Sequence, residues 1–386
     1  MMHHISYGVG GEIMKLISIL ALAVCTTLPA FAQEAAFLAQ AAGHEAPFRI
    51  GYSNGFIGNA WRAQHISDIE EVSRELKADG DFEGVVIVNS TSGTSGQIAQ
   101  INSLIAQGVD ALVVNPVSGE PLKPILARAA AAGVLVVVVD NPIDLPQVLN
   151  VPLNHTQYWQ IETEWLVETI GDKGNIVAIE GLPGATASDW RVRARDAVLE
   201  RHPDVKLLAS VSGGWDQAQA REAMAGLLAA HGDAIDGVLI QEVMNEGALR
   251  AFTVAGKPLV PLTGDYVHSF LKLWKETPEL QSIVVANPPG VGADAVRITA
   301  ELLRGNKLKD GVLEPNPLNP DLPNALVISE PYVIEREANT QRSWCSEATK
   351  CISLDEALEL LKGKSDSHSL DSYMSAEEIR ARYFQN

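Results

Sequence analysis

The chain has 386 residues, 46% of them hydrophobic, enough for about two domains with cores of their own. Its formal net charge is −19, which argues against nucleic acid and anionic membrane surfaces as partners, because phosphate binding needs clustered Lys and Arg. Acidity favours solubility and leaves the fold open. Met14-Lys15 starts the short apolar run LISILALAV, and Leu28–Ala32 ends in an A-x-A pattern before Gln33. A basic start, an apolar stretch and that ending predict a secretory signal cut after Ala32, with residues 1–13 an over-long start. The run is too short for a permanent span. Cys25 leaves with the leader, and the bulky Val24 before it argues against a lipid attachment site. The Ala-rich stretch Gln33–Pro47 is expected to be a flexible lead-in.

From Phe48 the pattern alternates. Strand Phe48–Tyr52 runs into the loop SNGFIGNAWR, and a helix with Ile66, Ile69, Val72 and Leu76 on one face follows. Strand Gly84–Asn89, the loop Ser90–Gly96 and a helix carrying Ile98, Ile101, Leu104 and Ile105 come next. Strand Ala111–Asn115, helix Pro121–Ala132 and strand Val134–Val139 complete the set, the last ending at Asp140-Asn141-Pro142. Continuous β-branched strands between helices predict a parallel sheet covered on both faces. After a pause at Leu145–Pro152 the alternation restarts: helix His155–Ile170, strand Asn175–Glu180, a helix from the Arg191 region, strand Val205–Ser210, helix Ala218–Ala230, strand Gly237–Ile240, helix Asn245–Val254 and strand Leu259–Leu262. Segment Ser282–Gly292 and helix Ala293–Arg304 are expected to add back to one half. A Pro-rich run, Pro315–Pro323, and strand Ala325–Ile328 follow, and the polar tail carries an amphipathic helix, Leu354–Leu361. The fold class is α/β, two Rossmann-like lobes with parallel sheets.

Ligands of such sheets bind beyond the carboxyl ends of the strands. The loops there are rich in Asn, Asp, Gln, Arg and Trp, and they lack the Ser/His/Asp or Cys/His set of acyl transfer. In Ile179–Asp216 a strand, a Gly-rich turn and a helix place the guanidinium of Arg191 near the indole of Trp215. A planar donor fork beside a flat apolar ring suits a neutral, hydroxyl-rich small molecule. Each residue also has a plainer reading. Arg191 could pair with Asp189 or Glu180, Trp61 and Trp215 could be packing, and Asp140 and Asp265 could serve turns. Arg193 and Arg195 read as solvated or inter-helix charges, His155 as structural, and Gly181-x-x-Gly184 lacks what a phosphate loop needs. In an exported chain, the spacing of Cys345 and Cys351 favours a local disulfide over a zinc site, which has no nearby His.

Taken together, the export signal, the two βα-repeat halves, Asp140 ending VLVVVVD, and GLPGATASDWR…HPDVKLLAS…WD resemble the periplasmic sugar-binding proteins of ABC transporters, the type I ribose/galactose group, over roughly Phe48–Pro331. The resemblance implies lobes joined by a three-segment hinge. It implies ligand contacts at Asn59, Trp61 and Arg62 in the first loop, at Asp140, and at Asn141 where an Arg is common. In the second half it implies Arg191, twelve residues before Pro203, then Trp215, Gln241, Asp265 and Asn287. The expected function is capture of a monosaccharide (pentose, hexose or furanose) for a membrane permease, by a periplasmic monomer without cofactor or metal. A receptor for a polyol or an autoinducer-2-type signal is the same-fold alternative. An α/β enzyme acting on a sugar is the alternative of another class, and a nucleophile, metal set or cofactor loop for it is not found. The expected division is a leader (1–32), one lobe (48–152 with 288–323), a second (153–287 with 324–340) and an extension (341–386) holding the disulfide. The hinge is expected near Leu149–Asn154, Leu262–Asp265 and Asn287–Pro323.

Overall fold

The computed structural model describes residues 35–385; the expected signal segment, 1–32, and Cys25 lie outside them. In chain order, the first lobe has β1 (Phe48–Asn54), α1 (Ala60–Asp79), β2 (Phe82–Asn89), α2 (Gly93–Ala106), β3 (Ala111–Asn115), α3 (Lys123–Ala131), β4 (Leu135–Val139) and β5 (Leu149–Val151). The second has α4 (His155–Thr169), β6 (Gly174–Glu180), α5 (Thr186–Leu199), β7 (Val205–Ser212), α6 (Gln217–His231), β8 (Gly237–Ile240), α7 (Asn245–Ala255), α8 (His268–Glu276) and β9 (Val284–Val285). The chain returns for α9 (Val291–Leu303), β10 (Glu314–Asn316) and β11 (Asn319–Ala325). It ends with β12 (Tyr332–Glu335), β13 (Lys350–Ser353), α10 (Leu354–Leu360) and α11 (Ala376–Tyr383).

The first lobe is one seven-stranded sheet, ordered β10-β11-β5-β4-β3-β1-β2. All its pairs are parallel except β10–β11. β3 and β4 are buried along their whole length, which explains their unbroken apolar sequences. In the second lobe β7-β6-β8 form one parallel sheet and β13-β12-β9 a mixed one, in which β12 runs parallel to β13 and antiparallel to β9. An irregular ladder joins them: Leu262 bridges Val238, and the Leu262 and Gly264 amides donate to the carbonyls of Gln281 and Ile283. Leu262–Asp265, expected at a crossover, therefore stays inside the second lobe. The lobes are joined at residues 152–154, 286–290 and 326–331, and the first and third strips run side by side through a Leu153–Ile328 bridge.

Some expectations change. Gln33–Pro47 is not wholly a free lead-in, because Ala36–Gln40 forms a 3-10 turn that buries Phe37 completely. The Pro-rich run is an antiparallel hairpin on the sheet edge, where a missing N–H costs no ladder bond. β11 carries the first lobe's sheet to Ala325, so Ala325–Ile328 forms the strand end and the crossover rather than a separate strand. Cys345, five residues ahead of β13, and Cys351, the second residue of β13, form the disulfide. From Leu354 onward the chain passes from the second lobe, where α10 packs on α8, to the first, where α11 packs on α9.

Candidate functional site

β1 ends at Asn54 and the chain turns into α1, whose N-cap is Asn59: its Oδ1 accepts from the Arg62 amide at 2.9 Å. That cap fixes where Trp61 and Arg62 emerge. Arg62 is almost fully buried, donates from Nη1 to Asn54 Oδ1 at 3.0 Å, and lies 4.7 Å over the Phe56 ring. Trp61 stacks on His65 and donates from Nε1 to the Asn287 carbonyl at 2.8 Å, tying α1 to the second crossover. Asp140 follows β4 at φ 65°. Its Oδ2 accepts from Asn141 Nδ2 at 2.9 Å, and its buried Oδ1 has no aligned donor.

Across the gap, Arg191 sits one turn into α5 and is 1% exposed. Nη1 donates to Glu242 Oε2, and the guanidinium lies 4.4 Å over the Tyr158 ring and 6.0 Å from Trp215. Glu242 also accepts from Asn287 Nδ2 at 3.1 Å, so one carboxylate links the second lobe's cation to the crossover. Trp215 stands at φ 54° with its indole against Gly181, where a Cβ would come within 2.3 Å of the ring. Only glycine leaves the ring that seat. Burial works to raise the Asp140 carboxyl, but the His155 imidazole 3.3 Å from Oδ1 and the charges of Arg62 and Arg191 hold it well below the ordinary range. Burial works to discharge Arg191, and the charge of Glu242 more than reverses that.

These residues line one pocket: Phe56, Asn59, Trp61, Arg62 and Asp140 on one side, Ala187, Arg191, Trp215, Glu242 and Val243 on the other, with Asn287 between. It holds about 310 Å³ free of atoms, part of it open to solvent. Asn141 Oδ1 accepts from the Ala187 amide at 3.0 Å and Gly119 packs on Thr186, so the lobes touch at the rim. The two guanidinium and two carboxylate groups of the wall cancel in charge. Buried polar atoms without a partner face this region: Asp140 Oδ1, Asn287 Oδ1 and Trp215 Nε1. A buried polar group left unmatched is costly. Three of the four non-glycine residues at positive φ among those described, Asp140, Trp215 and Val243, are in this wall. Such conformations persist where the surroundings over-determine them, and they cluster at ligand clamps.

Of the sequence-predicted residues, Asn59, Trp61, Arg62, Asp140, Arg191, Trp215 and Asn287 come together in the wall. Three take other places. Asn141 turns to the rim and bonds Ala187 and Asn115. Gln241 does not line the pocket: its Nε2 donates to Ser188 Oγ at 3.0 Å and its Oε1 accepts from Arg191 Nη1 at 3.5 Å. Asp265 lies buried beneath, its Oδ1 accepting from the Val267 amide at 3.3 Å. Glu242 was missed: it follows Gln241 in the loop after β8, and that loop, turning through Val243 at φ 58°, brings Glu242 rather than Gln241 to the pocket. Arg191 pairs with Glu242 instead of Asp189 or Glu180. Arg195, expected as a solvated or inter-helix charge, is 4% exposed in its side chain and pairs with Glu180 and Asp196.

Two α/β lobes on a three-strip hinge, with a polar, charge-balanced pocket between the strand ends, define a type I solute-binding protein. The periplasmic binding protein domain family matches residues 50–307, and the chain belongs to that family. It is 34% identical over 178 residues to the xylitol-binding protein of Mycolicibacterium smegmatis, covering 46% of this chain and about half (51%) of that one. It is 26% identical to the ribose import binding protein of Bacillus subtilis, over 71% of this chain and 87% of that one. An ABC transporter solute binding protein from Thermobispora bispora superposes with a TM-score of 0.69 at 27% identity, over 86% of this chain and 94% of that one.

Proposed function

We propose that this protein is the extracytoplasmic binding component of an ABC importer and captures a small neutral polyol or monosaccharide by closing two lobes on it, without chemistry. The observation that carries this is the wall itself, where Arg62 and Asp140 from one lobe face Arg191 and Glu242 from the other around unmatched polar atoms. An anion or cation would unbalance these charges in a site shielded from water, where an uncompensated charge is expensive. Hydroxyls satisfy both donors and acceptors, and Trp215 offers an apolar face. The names of the xylitol- and ribose-binding relatives point the same way. The disulfide suits an oxidising compartment, and delivery to a membrane permease by a monomer completes the reading.

A thermal-shift screen of pentitols, hexitols, pentoses, hexoses and furanoses, beside sugar acids and sugar phosphates, tests it. A micromolar ligand at a thousandfold excess over its Kd adds about 4 kcal/mol to stability, a rise of several degrees in Tm. At least one neutral compound is expected to give that rise and the anionic analogues none. Shifts from the anions alone would overturn the reading.

A further inference from the structure

We infer that His155 is a positioning residue that couples the two sides of the pocket; this rests on the binding reading above. It is the first residue of α4, directly after the first crossover, and is fully buried. Arg191 Nε and Nη2 lie 3.2 and 3.1 Å from its Nδ1. Both are donors that never accept, so Nδ1 must present its lone pair and the proton must sit on Nε2. Nε2 lies 3.0 Å from the Asp140 carbonyl and 3.3 Å from Asp140 Oδ1. The edge of Trp190 fixes the ring plane, at 5.4 Å and 82°. One imidazole thus accepts from the second lobe's cation and donates to the backbone carbonyl of the first lobe's Asp140, with Nε2 also close to its carboxylate, at a residue whose backbone is held at φ 65°. It sets where Asp140 Oδ1 and the Arg191 fork point without reaching the pocket wall.

Two measurements test this. In ¹⁵N-labelled ligand-free protein, long-range ¹H–¹⁵N correlation is expected to show His155 as the Nε2–H tautomer, its signals assigned by their loss in His155→Gln. An Nδ1–H tautomer overturns the assignment. For affinity, xylitol and D-ribose are the calorimetric probes. His155→Phe fills the space with neither arm and is expected to weaken binding at least about thirtyfold, the scale of a lost charge-assisted hydrogen bond. His155→Gln keeps a donor near the Nε2 position and His155→Asn an acceptor near Nδ1, so each is expected to lose less. Equal losses in all three reduce His155 to packing. If the wild type binds neither probe, the choice of guest fails, while the tautomer still decides the role of His155.

A different observation supports a second inference, independent of any ligand: the geometry points to residues 366–374 as a fourth, non-covalent tether between the lobes. Ser369 bridges antiparallel to Val267 of the second lobe, and the Leu370 amide donates to the Tyr266 carbonyl. The side chain of Gln64 on α1 of the first lobe takes both backbone groups of the same Ser369, accepting from its amide at 2.8 Å and donating to its carbonyl at 3.2 Å. Asp371 accepts from the Gly290 amide at 2.9 Å, and the Met374 amide donates to Asp294 at 2.7 Å. One residue is held by both lobes with no slack on either side. Gln64 lies on the helix that presents Trp61 and Arg62, and Val267 follows Asp265, so separating those walls must break one set of bonds. The tail holds the ligand-free protein toward the closed form.

Small-angle scattering of the ligand-free protein tests this. Gln64→Met combined with Ser369→Pro, which removes the amide donor, is expected to raise the radius of gyration above that of the wild type while thermal unfolding stays cooperative. An unchanged radius overturns the tether. If Ser369→Pro prevents folding, Gln64→Met alone carries the comparison.

Discussion

Arg191→Met is expected to abolish every ligand-induced thermal shift and to lower the melting temperature of the ligand-free protein as well. The guanidinium is desolvated, and its partner Glu242 is only slightly exposed. Removing the cation leaves a buried carboxylate held by a single neutral amide, that of Asn287. Breaking a buried ion pair from one side costs about 3–5 kcal/mol, which for a chain of this size is a fall on the order of 5–10 °C in Tm. The lost stability and the lost binding separate in a second variant. Arg191→Met with Glu242→Gln removes the stranded charge, so calorimetry is expected to show most of the stability restored and binding still absent. A single variant as stable as the wild type would mean that Glu242 is solvated and that the wall is open to water in a way the structure does not show.

What the sequence revealed follows from what local pattern encodes. Unbroken apolar strands between helices announce a parallel sheet, and the loops beyond the strand ends are where a ligand is met; Asp140 and Trp215 were legible for that reason, and Arg191 as the cation in the first turns of the helix that follows β6. Position along a strand is not the same as direction. Gln241 and Glu242 are neighbours in the loop after β8, both within reach of Arg191, and only the course of that loop decides which of them lines the pocket. Asn141 and Asp265 are polar and sit on the right loops, yet one is consumed by the contact between lobes and the other by the amide of Val267. The course of the tail was illegible in principle, since its capping boxes at Ser353 and Ser375 start α10 and α11 without saying which lobe each covers. That choice is made by apolar partners far away in sequence, such as Ile379 and Phe384 buried beside Leu308.

Asp265 gives the protein a measurable pH dependence. Burial, and then the charge of Glu242, push its carboxyl from an ordinary value of 3.8 up to about 7, against hydrogen bonds from the Val267 and Val243 amides. The folded state therefore holds a proton that the unfolded chain gives up earlier. Stability from this group is fully present below about pH 4 and is lost as pH rises through about 7. That difference in proton affinity corresponds to up to about 4 kcal/mol. Asp265→Asn keeps an oxygen for the Val267 amide and has no charge to bury. It is expected to melt several degrees above the wild type at pH 8 and at the same temperature at pH 4, with the gap opening between. A gap that is constant across that range would show that the carboxylate at Asp265 is ionised in the folded protein and compensated by the two amides alone.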